Sequence, residues 1–334
     1  MIKSFALSMV FLICSLAVLA GTASLLVLVL GSSRFITTCP RELEERHELI
    51  LANPADYGLS LESGEVTSED NLLLTTCLVT RSEEVGTATK LRSMQTRLAA
   101  RGIERSASLR GTVVIVHGRG GFKENMLAIA MRYIAADFRC IIYDQRAHGQ
   151  SEGNYCTYGI RERRDLSSVL DHYENLLGQR GEPLGPVHAF GLSMGAATLL
   201  LATETESRLA SVTAICPYAE LPSVARIGAK QRVHDRLPNW LIDATLWTAG
   251  KRAGFNPWDV QPIRAAAAWD RPIYLVHGTL DGVIPIEHGH RLRDVTRGEN
   301  CRWEEIPSAY HGDVLAEGGD DLYERLVCFA IDAS

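Results

Sequence analysis

The sequence lacks any run of basic residues interleaved with aromatic ones, and its formal net charge is −6. A nucleic-acid-binding surface needs concentrated positive charge, usually with aromatic side chains beside it. We therefore expect no nucleic-acid partner. The sequence also contains no internal repeat, which argues against solenoid and propeller architectures. Its content of 46% apolar and 22% charged residues is ordinary for a globular protein.

Metal-binding spacings are absent as well. Neither Cys-x-x-Cys nor His-x-x-x-His occurs, so we expect no metal and no cofactor. Of the eight cysteines, Cys140, Cys216 and Cys328 lie in apolar stretches, where a thiol behaves as a small buried hydrophobe. Cys39 and Cys77 flank a less regular part of the chain and could form a disulfide if the protein is exported.

The N-terminus contains a long apolar run. No charged residue occurs from Phe5 to Leu30, which is long enough to cross a bilayer as a helix. We therefore predict a transmembrane anchor at residues 1–31, with the large domain on the outer, extracytoplasmic side. Lys3 on one side and Arg34 and Arg41 on the other give almost no charge bias for orientation. The alternative is a cleaved signal peptide and a secreted protein.

The remainder of the chain alternates between strand-like and helix-like segments. We assign residues 32–64 to a juxtamembrane segment and residues 65–334 to one domain. Within that domain, short β-branched runs alternate with helix-length segments, which predicts an α/β fold with a mainly parallel sheet and helices on both faces. The strand runs are 112–116, 140–143, 187–190, 212–215, 272–276 and 301–306, and the helical segments are 124–136, 160–177, 194–207, 282–296 and 318–332.

One long insertion interrupts this alternation. About 50 residues, 221–270, separate two predicted core strands and carry Trp240 and Trp247. Ligands of open α/β sheets bind beyond the carboxyl ends of the strands. We therefore expect this segment to be a small helical cap that roofs the site and contacts an apolar group of the substrate.

The pentapeptide Gly191-Leu192-Ser193-Met194-Gly195 follows one of these strands and opens a helix. A serine on a sharp strand-to-helix turn, flanked by glycines, matches the nucleophile elbow. The turn pushes the serine oxygen outward, and the helix N-terminus behind it offers unpaired N–H groups. Ser193 is therefore the candidate nucleophile.

Three further features complete a candidate catalytic constellation. The strand at 112–116 leads into a glycine-rich loop, so the backbone N–H groups of Arg119 and Met194 could form an oxyanion hole. Asp281 follows the strand at 272–276 and is the candidate acid, with Glu220 as the alternative. His311 follows the last strand and is the candidate base. The order Ser–Asp–His along the chain is the one found with this elbow.

Together these residues resemble the alpha/beta-hydrolase fold superfamily over about residues 65–332. The segment Asp144-Gln145-Arg146-Ala147-His148-Gly149-Gln150-Ser151 is similar to one in the serine aminopeptidase-like and prolyl-oligopeptidase-like hydrolases, with Ala147 in place of a glycine. We expect Arg146 and Asp165 to brace loops. The resemblance implies an alpha/beta-hydrolase fold with an eight-stranded sheet whose second strand is antiparallel, and hydrolysis through an acyl-enzyme.

The resulting functional expectation is a serine hydrolase that cleaves an ester, thioester or amide bond in a small-molecule or peptide substrate with an acyl group. A peptidase is an alternative, for which Glu220 or Asp235 could hold a peptide amine. A non-catalytic binding protein on the same fold is a further alternative. The sequence leaves the oligomeric state open.

Overall fold

The computed structural model describes residues 41–83, 88–296 and 300–334. The predicted anchor at residues 1–31 lies outside these ranges. Within them, no helix is both long enough and apolar enough to span a bilayer. Cys39 also lies outside, and its predicted partner Cys77 is a free, buried thiol.

Eight strands form one sheet in the order β1-β2-β4-β3-β5-β6-β7-β8. The strand β2 pairs antiparallel with both β1 and β4. Every other neighbouring pair, in the order β4-β3-β5-β6-β7-β8, is parallel. This confirms the mainly parallel eight-stranded sheet and its antiparallel second strand. The strands are β1 (Leu59–Thr67), β2 (Leu73–Arg81), β3 (Thr112–Val116), β4 (Arg139–Tyr143), β5 (Val187–Leu192), β6 (Leu209–Ile215), β7 (Ile273–Gly278) and β8 (Cys301–Ile306).

Helices cover both faces of the sheet. One apolar cluster joins α2, α3 and α10 to one face, and a second joins α4, α5, α8 and α9 to the other. The strands β3 and β4 are buried along their whole length, as expected for parallel strands covered on both sides. The helices are α1 (Glu45–Ala52), α2 (Thr89–Ala100), α3 (Leu127–Ile134), α4 (Glu162–Gln179), α5 (Met194–Ala202), α6 (Leu221–Arg232), α7 (Asn239–Ala253), α8 (Pro262–Ala268), α9 (Glu287–Val295) and α10 (Val314–Asp332).

The folded domain starts earlier than the predicted boundary at residue 65. The strand β1 begins at Leu59, which is buried, and the helix α1 precedes it. Ile50 of α1 belongs to the apolar cluster on the α2 and α3 face of the sheet. Most of the predicted juxtamembrane segment 32–64 that the structure describes is therefore part of the domain. Only His47 and Ile50 of α1 are buried, so its sequence carries a weak amphipathic signal.

The segment 221–270 is helical, as predicted, and consists of α6, α7, a short 3-10 turn and α8. Ala249 and Ala253 of α7 pack against Met194 and Cys156 beside the elbow. Trp240 and Trp247 are 63% and 55% exposed, so these two rings lie largely in solvent.

Candidate active site

Ser193 occupies the turn between β5 and α5 in a strained conformation, with φ 52° and ψ −114°. Its N–H donates to the Ile215 carbonyl at 2.8 Å, which ties the turn to the neighbouring strand β6. A Cβ on Gly191 would lie 2.6 Å from the Ala196 nitrogen, and a Cβ on Gly195 would lie 2.4 Å from the Val116 oxygen. Both glycines are therefore required by close backbone packing, and the elbow holds the serine hydroxyl outward.

The side chains of Ser193, His311 and Asp281, which lie on three separate loops, are in contact. His311, between β8 and α10, has Nε2 at 2.9 Å from Ser193 Oγ. Its Nδ1 lies 2.7 Å from Asp281 Oδ2, and Asp281 follows β7. The Asp281 carboxylate is fully buried, whereas the imidazole is partly accessible. The arrangement can carry a proton from the serine oxygen to an imidazole that is oriented by a buried anion.

Several donors surround the Asp281 carboxylate. Its Oδ1 accepts the N–H groups of Val283 and Ile284 at 2.9 and 2.8 Å. Burial acts to raise the pKa of Asp281, but hydrogen bonds from His277, His311 and the Ile284 amide outweigh it and hold the pKa well below its usual range. The group therefore stays negatively charged beside the imidazole.

The loop after β3 approaches the elbow closely. A Cβ on Gly118 would lie 3.3 Å from both the Leu192 oxygen and the Ser193 Cβ. His117 fixes this loop, because its Nδ1 donates to the Gly118 carbonyl at 2.8 Å and its Nε2 accepts the Gln145 N–H at 3.0 Å. Burial lowers the pKa of His117 to about 4, which keeps the ring neutral for this pair of bonds. Arg119, whose N–H is a predicted oxyanion donor, lies on this loop beside Ser193 in a common cavity.

Met194, the other predicted donor, is the first residue of α5 and is buried. Its amide is one of the N–H groups that have no acceptor within their own helix. Glu220, the alternative acid, pairs instead with Arg291 at 3.1 Å. Arg146 makes a doubly bonded ion pair with buried Asp165 at 2.6 and 2.7 Å, in line with a bracing role.

Within the described ranges, one cluster of potential metal ligands occurs. Side-chain atoms of Cys216, Asp281 and His311 lie within 4.8 Å of one another. Burial raises the pKa of the Cys216 thiol far above its usual value, and His311 Nδ1 is already bonded to Asp281. The hydrogen bond between Asp281 and His311 therefore accounts for the proximity of these potential ligand atoms.

A cavity of about 930 Å³ opens at Ser193 and His311. Its walls come from α1, the start of α2, α3 and the first turns of α10, and none of its described lining residues lies in 221–270. The segment 221–270 therefore does not contribute to the described walls of this cavity, and the prediction that it roofs the site stays a prediction. The α1 and α2 walls could not be assigned to the site from the sequence, because they precede every motif that marks it.

Comparisons with known proteins agree with this architecture. A sequence profile of the alpha/beta hydrolase fold matches residues 111–257. The uncharacterized protein YqkD of Bacillus subtilis is 30% identical over 190 residues, which cover 56% of this chain and 60% of that protein. This chain thus spans about three fifths of the length of that relative.

Two further proteins with stated activities are similar. The monoacylglycerol lipase of Mycolicibacterium smegmatis is 26% identical over 233 residues, covering 60% of this chain and 81% of the lipase. The Pyrococcus furiosus esterase Pf2001 superposes with a TM-score of 0.62 at 17% identity, over 88% of this chain and 97% of the esterase. The profile match, the sheet topology and the superposition with the esterase show that the chain has the alpha/beta-hydrolase fold.

Proposed function

We propose that this protein is a serine hydrolase that cleaves an ester, thioester or amide bond through an acyl-enzyme on Ser193. The observation that carries the proposal is the continuous hydrogen-bonded path from Ser193 Oγ through His311 to Asp281, with steps of 2.9 and 2.7 Å. The similar lipase and esterase are consistent with acyl-ester chemistry.

In the first half-reaction, His311 Nε2 accepts the Ser193 hydroxyl proton while Oγ attacks the substrate carbonyl carbon. The buried carboxylate of Asp281 stabilises the imidazolium that forms. The Met194 and Arg119 amides are the proposed donors to the negatively charged oxygen, and each such donor contributes about 3–4 kcal/mol to transition-state stabilisation. His311 then gives its proton to the leaving alcohol, thiol or amine, and the carbonyl carbon stays bonded to Oγ.

In the second half-reaction, a water molecule takes the place of the leaving group. His311 accepts one water proton as the oxygen attacks the acyl carbon, and returns the proton to Ser193 Oγ as the ester bond to serine breaks. The products are a carboxylic acid and the original enzyme. No redox partner is needed, since only acyl groups and protons move.

The peptidase alternative receives less support from the geometry. Glu220 and Asp235, the residues suggested for binding a peptide amine, are not among the described residues that line the cavity. Asp235 contacts His234 at 2.9 Å in an exposed position. We therefore propose an acyl ester or thioester, or an amide without a free amino terminus, as the substrate class.

A fluorophosphonate probe with a reporter tag tests the nucleophile. The wild-type protein should be labelled at Ser193, as located by mass spectrometry of the tryptic peptide, and Ser193→Ala should abolish both labelling and hydrolysis of p-nitrophenyl butyrate. Ser168→Ala, on the surface of α4 where its hydroxyl bonds the Arg164 carbonyl, is the matched control and should retain both. Undiminished hydrolysis by Ser193→Ala would overturn the proposal, and an unlabelled wild-type protein would favour a non-catalytic binding protein.

We further propose that residues 1–31 anchor the enzyme to a membrane with the hydrolase domain on the outer side. The proposal rests on the uncharged run from Phe5 to Leu30. The full-length chain should remain in the membrane fraction after a carbonate wash. A mature protein found free in solution and starting near residue 21 or 24 would show a cleaved signal peptide instead.

A further inference from the structure

The cavity at Ser193 has a second end of different chemical character. It continues between α3 and α10, where Arg132, Asp320 and Tyr323 line it, and Arg46 of α1 and Lys90 of α2 line it as well. Met126 and Arg132 both line the cavity and are six positions apart, which corresponds to roughly 9 Å of helical rise. The cavity therefore extends along the α3 wall over a length that a medium acyl chain could occupy.

The middle of the cavity is mostly apolar. Side chains of Leu192 and Ile215 from the sheet, Ile129 from α3 and Val314 and Leu315 from α10 line it. Burial of methylene groups here removes apolar surface from water. Each buried methylene of an aliphatic chain would therefore strengthen binding by about 0.8 kcal/mol. This part favours a substrate with an unbranched apolar segment next to the scissile bond.

The far end carries an excess of positive charge. The charged lining residues away from Ser193 include three cations, Arg46, Lys90 and Arg132, and two carboxylates, Asp320 and Glu124. The guanidinium of Arg132 lies 3.6 Å from Asp320 and 4.2 Å from the Tyr323 ring centroid, so the Asp320 carboxylate is already engaged.

The other carboxylates near this end are also paired. Glu124 accepts a bond from Arg41 at 2.8 Å, and Glu44 pairs with Arg46 at 3.0 Å on the outer surface. Partial burial and the nearby charges of Arg132 and Arg46 lower the pKa of Lys90, against the opposite effect of Asp320. Burial is the larger cause of this shift, and the two neighbouring cations add to it, so an anion bound beside Lys90 would stabilise its charged form.

We propose that the cavity binds an acyl substrate whose apolar chain ends in an anionic group, a carboxylate or a phosphate, held by Lys90 and Arg46 beside Arg132. The assignment of Ser193 to the scissile bond rests on the proposed function, whereas the anion subsite rests on the cavity and its charges. The anion subsite thus distinguishes substrates by the end of the acyl chain that lies away from the scissile bond.

Binding to full-length Ser193→Ala protein tests the subsite without requiring turnover. The probes are methyl octanoate, the monomethyl ester of octanedioic acid and methyl 8-phosphonooctanoate, which share a chain and differ at its end. We expect at least one of the two anionic probes to bind about tenfold more tightly in calorimetric titration at low salt, with the advantage falling as salt rises. The tighter of the two identifies the anion.

Variants of the cations supply the second comparison. In the Ser193→Ala background, Lys90→Gln or Arg46→Gln should reduce the ratio of anionic to neutral affinity several-fold. Lys251→Gln, which removes an exposed cation from α7 away from the cavity, is the matched control and should leave the ratio intact. Equal affinity for all three probes, or a ratio indifferent to Lys90→Gln, would overturn the subsite.

The two proposals fail separately. A wild-type protein that hydrolyses p-nitrophenyl butyrate while its Ser193→Ala variant shows no preference for the anionic probes retains the hydrolase function and loses the subsite. A protein that shows the preference but is not labelled at Ser193 retains the subsite and loses the acyl-enzyme.

Discussion

His277 Nε2 lies 3.3 Å from Asp281 Oδ2, the same carboxylate oxygen that His311 Nδ1 contacts at 2.7 Å. The same nitrogen of His277 lies 2.8 Å from the Ile284 carbonyl. Since a carbonyl only accepts, Nε2 carries the proton and shares it between the carbonyl and the carboxylate. His277 therefore positions Asp281, while Asp281 orients the proposed base.

Removing the His277 donor should weaken the site without dismantling it. We expect His277→Leu to lower kcat about tenfold with a small change in KM, because a hydrogen bond to a charged group is lost away from the substrate. His277→Gln can present an N–H near the former Nε2 and should recover part of the rate. Steady-state kinetics with a p-nitrophenyl ester, beside a thermal melt, provide the measurement; equal rates for Leu and Gln at this position would refute a positioning role.

Replacing the acid itself should have a larger effect. Asp281→Asn should reduce kcat by roughly 10⁴-fold while the protein stays folded, because the imidazole loses its orienting anion and can take the wrong tautomer. Glu220→Gln, which removes the alternative acid from its pair with Arg291, is the control and should stay near the wild-type rate. Reversal of these two results would move the acid assignment to Glu220.

The carboxylate of Asp281 should not contribute an ionisation to the pH profile near neutrality. The pKa of Asp281 is held well below its usual range, so the carboxylate remains charged far into acid, and its contribution to stability is lost only as the pH falls towards that lowered value. We expect the slope of log kcat/KM against pH not to exceed one on acidification, and a slope of two would show that Asp281 titrates in the same range.

The elbow glycines should be intolerant of a methyl group. A Cβ at Gly195 would lie 2.4 and 2.5 Å from the Val116 and His117 carbonyl oxygens, so Gly195→Ala should cost more than about 2 kcal/mol of unfolding free energy. Gly178 near the end of α4 meets no atom within 4 Å, and Gly178→Ala should instead stabilise by about 0.5–1 kcal/mol. Chemical denaturation of both variants gives the comparison, and similar midpoints would contradict the predicted crowding.

The cavity walls, rather than the exposed tryptophans, should set acyl-chain preference. Ile129→Phe adds volume to the α3 wall and should shift the preferred p-nitrophenyl ester towards shorter chains. Trp240→Ala, on a ring that is mostly in solvent, should leave the chain-length profile unchanged. The ratio of kcat/KM for octanoate to butyrate measures both, and a shift caused by Trp240→Ala alone would restore α7 as part of the acyl site.

The parts predicted best from sequence are those with a strict local requirement. A nucleophile elbow needs its glycines at fixed spacing, and strands buried on both faces need unbroken apolar runs such as 112–116. Ser193 and Asp281 follow such strands, β5 and β7, whereas His311 follows the more polar strand β8. Parallel strands present their carboxyl ends at one edge of the sheet. The contacts of 2.9 and 2.7 Å among the three side chains are consistent with that reasoning.

The cavity could not be predicted in the same way. Its lining residues run from Arg46 to Tyr323, and their proximity depends on how helices pack rather than on any local pattern. The α1 helix buries only two of its eight residues, so its periodicity is faint. The tryptophans of 221–270 do not indicate where this segment lies relative to the elbow, because large apolar side chains favour burial in general.

The segment shared with the alpha/beta hydrolase profile, residues 111–257, contains Ser193 but neither Asp281 nor His311. Of the helices that wall the cavity this segment includes only α3, and it adds loop and sheet residues such as Leu192 and Ile215, while α1, α2 and α10 lie outside it. Two proteins that resemble each other through this segment share the position of the proposed nucleophile and can differ in many of the residues that line the cavity. Similarity over that segment therefore bears on the type of reaction. The identity of the substrate depends on residues before and after the segment.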